Sequence, residues 1–130
     1  LGGLRCYVRH VGGDHATDAC VVSIPDDGVL FLSDCLYDNI YAPTRHYTQA
    51  QALPLIEKLL AFGATTIVEG HNPDTLDRAQ FELLTSTMRR AAALASQYEG
   101  DAAAMSAALG EGIDEDTAFF VQAFAAGYGK

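Results

Sequence analysis

Val29-Leu30-Phe31-Leu32-Ser33-Asp34 is continuously apolar up to Leu32 and then stops on a hydroxyl and a carboxylate. A short apolar run bounded by turn residues reads as a buried strand. The turn precedes it: Pro25-Asp26-Asp27-Gly28 follows the apolar, β-branched stretch Ala19 to Ile24, so the two runs predict a β-hairpin. Further upstream, Leu4 to Val11 alternates apolar and polar residues and predicts a half-buried strand, closed by the turn-forming Gly12-Gly13-Asp14-His15.

Downstream of Asp34, the segment Cys35 to Tyr47 mixes aromatics, Asn39, Pro43 and charges without a period, which predicts a loop. Thr48 is a candidate cap for a helix with Ala52, Leu55, Ile56, Leu59 and Leu60 on one face, closed by Gly63. Pro54 argues for a start nearer Ala52, because proline lacks the N–H an interior helical position needs. Ala64 to Glu69 predicts a strand that delivers the chain to Gly70-His71-Asn72-Pro73. Asp74 or Thr75 is then expected to cap a long helix reaching about Tyr98, with Phe81, Leu84, Met88, Ala92 and Ala95 as its buried stripe. A helical hairpin follows, about Asp101 to Leu109 and Asp114 to Ala126, with Phe119, Phe120, Val121 and Phe124 too apolar for a lone surface helix. These elements describe an α/β layered arrangement.

A length of 130 residues allows one hydrophobic core, and 49% apolar with 19% charged residues is ordinary for a globular chain. The net charge of −9 with eight basic residues excludes a phosphate-backbone binder, so no nucleic-acid partner is expected. Cys6, Cys20 and Cys35 cannot all pair within the chain and have no C-x-x-C spacing, which fits a reducing cytoplasm. No apolar run approaches the roughly 20 residues of a membrane span, so no membrane partner is expected. The chain starts at Leu1 without methionine and reads almost at once as a strand, so removal of residues upstream is expected.

Three residues follow Gly-rich or strand-end turns: His15 in GGDHATD, Asp34 in LFLSDC and His71 in VEGHNP. Imidazole and carboxylate together suit zinc, manganese or iron, and such a site activates water. Taken singly, each residue is also an ordinary turn or cap residue, and spacing does not by itself establish a metal site. His10 is expected to be a satisfied strand residue.

The run Gly13 to Ala19, the hairpin, and Val29 to Asp34 together resemble the metallo-β-lactamase fold, in which a G-x-H-T/S-x-[DG]-S pattern precedes a V-L-F-x-G-D strand; Gly70-His71 is similar to its closing G-H. The resemblance covers Leu4 to about Tyr98. It implies the C-terminal half of an αββα sandwich over residues 1–98, with residues 99–130 as an appended helical tail. It also implies that His15 completes the first metal's histidines, that Asp34 bridges two metals or binds the second, and that His71 binds the second. Zinc, one or two ions in the full-length parent, is the expected cofactor. Asp14 and Asp18 are expected to orient the His15 ring through hydrogen bonds, and His46 is a candidate substrate contact. Ser33 stands where the family has glycine, a change expected to matter little because the strand end need not adopt positive φ. The family's H-x-H-x-D-H motif is absent from the chain.

These readings predict part of a metal-dependent hydrolase, inactive alone, whose parent directs metal-bound hydroxide at a small ester-, amide-, thioester- or phosphoester-like substrate. The alternative is a non-catalytic half-domain that acts as an interaction module, as a homo-oligomer or domain-swapped dimer, through its uncovered sheet face.

Overall fold

The computed structural model describes residues 2–130. The hairpin forms as its sequence demands: β2 (Cys20–Ile24) and β3 (Val29–Ser33) pair antiparallel across a 3-10 turn at Pro25–Asp27, and Gly28 supplies the left-handed φ of 66° that ends it. β1 (Tyr7–His10) adds antiparallel to β2. Helix α1 (Gln49–Ala61) then carries the chain over to β4 (Thr66–Glu69), parallel to β3, and a two-residue β5 (Leu76–Asp77) closes a five-stranded sheet in the order β1-β2-β3-β4-β5. Three helices complete the chain: α2 (Arg78–Gln97), α3 (Ala102–Leu109) and α4 (Glu115–Gly127).

Alternation along the strands sorts their side chains onto two faces. Val21, Leu30, Leu32 and Ile67 are buried in a core shared with Leu55, Ile56 and Leu59 of α1, Phe81 and Met88 of α2, and Val121 and Phe124 of α4. The opposite face carries the cross-strand row Val8, Val22, Phe31 and Val68, and none of the four belongs to the buried core. Val8 is 70% exposed and Phe31 40%. β1 is exposed along its whole length, against the half-buried strand expected, because it is an edge strand bonded on one side only.

Local details also depart from the sequence reading. Helix α1 starts at Gln49, and Pro54 lies inside it. The first turn is held from outside: Asp14 accepts hydrogen bonds from the N–H and hydroxyl of Thr48 at 3.0 and 2.7 Å, while the Gln49 amide donates to the Ala92 carbonyl at 2.7 Å. Thr48 therefore does not cap the helix with its own side chain. The cap of α2 is Asp77, not Asp74 or Thr75, because β5 keeps the chain extended that far. Asp77 and Gln80 then bond each other's backbone N–H reciprocally. Ser33 adopts a φ of +51°, contrary to expectation, so the glycine position at this strand end does require left-handed backbone and serine occupies it under strain.

The aperiodic segment after Asp34 is folded into the core. Cys35, Leu36, Asp38, His46 and Tyr47 are all buried. Tyr47 ties the segment to α4: its N–H donates to the Ala123 carbonyl at 3.1 Å, its ring stacks on Phe124 at 5.2 Å, and its hydroxyl donates to the Leu36 carbonyl at 2.9 Å. The apolar positions of α4 thus pack on the body of the same chain. Among the described residues, no helix is long and apolar enough to cross a membrane.

Candidate metal centre

His15, Asp34 and His71 come from three separate segments and meet at one rim. Gly13 shapes the first segment: its φ of 146° is accessible to glycine, and a side chain there would approach the Cys35 carbonyl oxygen to 2.6 Å. The turn it permits presents His15, whose side chain is 13% exposed. Asp34 follows the strained Ser33 at the end of β3. Glycine at position 70 lets the third segment press against it, since a methyl group on Gly70 would overlap the Asp34 Oδ1 atom. His71 follows at once and is 74% exposed.

The carboxylate of Asp34 faces both rings, one oxygen to each. Oδ2 lies 3.8 Å from His15 Nε2, and Oδ1 lies 3.4 Å from His71 Nε2. The distal nitrogen of each ring is thus turned to the same carboxylate. His15 Nδ1 lies 3.3 Å from the Asp38 carbonyl oxygen, a contact that orients the ring by its other edge. The kinds of donor fit a divalent metal: two imidazoles and a carboxylate with both oxygens turned to a ring nitrogen. The number falls short of a full cage, and among the described residues no three His, Cys, Asp or Glu side chains are spaced to enclose an ion. These residues fit as part of a ligand shell.

The other candidates sit elsewhere. Asp14 is engaged with Thr48, and burial raises its carboxyl pKa against the lowering effect of those hydrogen bonds. Asp18 is exposed, and its carbonyl accepts a bond from the Cys20 thiol at 3.5 Å. The orienting contact to His15 accordingly comes from the Asp38 backbone and not from Asp14 or Asp18. His46 is 7% exposed and its Nδ1 lies 2.9 Å from the Thr44 carbonyl oxygen, which places it beneath the rim with little surface for a substrate. His10 bonds the Thr17 carbonyl at 2.8 Å, as a satisfied strand residue does.

Sequence reasoning passed over Tyr37, Asp38 and Arg45. The Tyr37 ring lies between the two histidines, with centroids 6.3 Å from His15 and 5.5 Å from His71, and its hydroxyl accepts the His71 N–H at 3.3 Å. Burial pushes the Tyr37 phenol pKa up, partly opposed by that bond. Asp38 is wholly buried and paired to Arg45 through two hydrogen bonds of 2.7 and 2.6 Å, while the Arg45 guanidinium lies 5.2 Å from the centroid of the Phe119 ring. A chain of contacts therefore runs from α4 through Arg45 and Asp38 to the His15 ring. Burial and the neighbouring Asp34 carboxylate push the Cys35 thiol up to about 12.

No family profile matches the chain. No curated protein matches it either. Among solved structures, the chain is similar to a metallo-β-lactamase family protein from Thermus thermophilus, with 21% identity and a TM-score of 0.53 over 96% of this chain and 43% of that one. A metallo-β-lactamase from Pontibacter korlensis aligns with 27% identity and a TM-score of 0.47 over 66% of this chain and 42% of that one. The chain thus spans less than half the length of each of these two structures. Its mixed sheet-and-helix architecture, aligned over nearly its whole length, is a partial metallo-β-lactamase fold.

Proposed function

We propose that this chain is the C-terminal part of a metal-dependent hydrolase and contributes His15, Asp34 and His71 to its metal centre. One observation carries the reading: the two oxygens of Asp34 are directed separately at His15 and His71, at 3.8 and 3.4 Å, so that the one carboxylate would help either ring to hold an ion. The partial fold supports it. A divalent ion held there, zinc being the leading candidate, would supply Lewis-acid activation of water for attack on an ester-, amide-, thioester- or phosphoester-like bond. The chain's own residues do the holding. His15 is locked by the Asp38 carbonyl, His71 by the Tyr37 hydroxyl on its backbone, and Asp34 by the close approach of Gly70.

Calorimetric titration with zinc tests this. Binding that is lost in both His15→Ala and His71→Ala supports a retained half-site, and binding unaffected by either substitution sinks it. Hydrolytic activity is expected only when a polypeptide carrying an H-x-H-x-D-H segment is supplied: His15 and His71 belong to different ions on this reading, so each ion would have at most two ligands from this chain where a catalytic zinc takes about three.

A second reading rests on the open sheet face, whose row Val8, Val22, Phe31 and Val68 is apolar across four strands. A soluble domain rarely leaves such a patch bare. On this reading the chain is an interaction module, and its self-association in sedimentation runs disappears on Phe31→Lys while the monomer stays folded. A wild-type chain that sediments as a monomer at every concentration removes this reading.

A further inference from the structure

A cavity of about 710 Å³ opens beside His71 and joins that end of the metal centre to α4. Its volume lies within the range of roughly 300–1,000 Å³ found for small-molecule sites. Buried Leu36, Met88 and Phe120 and half-buried Leu76, Leu84 and Phe119 make its apolar wall. The charges around it are mostly negative: Glu69, Asp114 and Asp116 all line it. Among the described lining residues the one guanidinium, Arg45, is already neutralised by Asp38 and laid over Phe119. No described lining residue offers a free lysine or arginine to a phosphate, sulfate or carboxylate, and the chain's charge of −9 adds to the repulsion.

We infer that this cavity binds the apolar arm of an uncharged or cationic acyl substrate, with the reacting carbonyl at the His71 end. Placement of the carbonyl rests on the metal-centre reading above, whereas binding of the arm does not. The inference concerns the arm: it favours substrates whose arm is neutral or cationic over those whose arm carries a phosphate, sulfate or carboxylate, since Glu69, Asp114 and Asp116 line the cavity beyond the metal centre. It also gives α4 a purpose beyond core packing, since Phe119 and Phe120 line the cavity.

Three octyl-chain probes of different charge test it, each below its micellar concentration, at low salt and with a chelator present. Octanoylcholine is cationic, octyl glucoside neutral and octyl phosphate anionic. Calorimetry is expected to give octanoylcholine and octyl glucoside at least roughly tenfold tighter binding than octyl phosphate, the effect of two or three unscreened charges at this range. Amide chemical shifts should move at Leu84, Thr87, Phe119 and Phe120. Thr87→Trp, which fills the cavity from α2, should weaken the favoured probes at least about tenfold with an unchanged circular dichroism spectrum. Asp116→Asn should narrow the gap between octanoylcholine and octyl phosphate. Octyl phosphate binding as tightly as the others, shifts confined to the open sheet face at Val22 and Phe31, or no binding of any probe would each overturn the inference. Probe binding without any zinc binding would sink the metal reading and sustain the pocket; zinc binding without probe binding would do the opposite.

Discussion

The two faces of the sheet use the same strands and the same residue types, yet they meet different surroundings. Leu30 and Leu32 on one face are fully buried, whereas Phe31 between them is 40% exposed. What separates them is what lies above each: α1, α2 and α4 all contribute to the core on the Leu30 face, and Phe31 has no place in that core. Apolar residues stabilise by the area they remove from water, not by their identity. Cohesion in this chain should therefore come almost wholly from the helix-covered side, while the open side is free for association.

Paired substitutions put the largest strain on that comparison. Leu30→Ala should cost about 2–5 kcal/mol in urea unfolding, the transfer energy plus the cavity left behind. Phe31→Ala, one residue away, should stay within about 1 kcal/mol for the monomer. Equal losses at the two positions would mean that the open face is covered in solution.

The next effect tests how tightly the covered side is closed. A methyl group on Gly127 would overlap the Tyr47 carbonyl, the point where α4 docks on the segment after Asp34. Gly127→Ala should cost about 1–3 kcal/mol, because a well-packed contact must move apart. The loss is readable as a lower thermal midpoint together with a weaker near-ultraviolet signal from Tyr47. Retention of both would show that α4 is only loosely held.

Much of this division was legible in the sequence. The hairpin and the strand Ala64 to Glu69 could be read from turn residues between apolar runs, and His15, Asp34 and His71 could be placed at turns and strand ends in the same way; their grouping as one site came from the resemblance to the metallo-β-lactamase fold and not from spacing. The capping of α1 could not be read, since Asp14 reaches Thr48 only once the chain has folded back on itself. The segment after Asp34 hid its burial for a similar reason. Its polar residues are satisfied within the fold, Asp38 by Arg45 and His46 by Thr44, so polarity there signalled partners and not exposure. Tyr37 was missed because nothing in its local sequence distinguishes a ring wedged between two histidines from any other loop tyrosine. The strain at Ser33 was missed because serine gives no local sign of left-handed backbone; the fold imposes it.

Asp14 offers a smaller, more selective probe of the covered side. Asp14→Ala removes both hydrogen bonds to Thr48, so the first turn of α1 loses its external anchor. The expected cost is about 1 kcal/mol, the usual loss of a helix cap. Hydrogen exchange should quicken at Ala50 to Leu53 and leave the hairpin unchanged. Because His15 is oriented by the Asp38 carbonyl, zinc affinity should fall far less than in His15→Ala. A collapse of zinc affinity equal to that of His15→Ala would instead make Asp14 part of the metal centre.

The smallest effect is a pH dependence at the far end of the covered side. Asp114 caps α4 by accepting the Thr117 N–H at 2.7 Å, and that bond holds its carboxyl below the ordinary value of 3.8. A depressed carboxyl pKa in the folded state means that folding favours the ionised form. The stabilisation is therefore complete above the unfolded value and is lost as pH falls through the folded one. Asp114→Asn keeps an N-capping side chain but has no proton to gain. Between pH 7 and pH 3 the thermal midpoint of the parent should accordingly fall further than that of Asp114→Asn, the other carboxylates being common to both. Parallel curves would mean that α4 holds to the covered side through Phe120, Val121 and Phe124 alone, with its capped first turn contributing nothing.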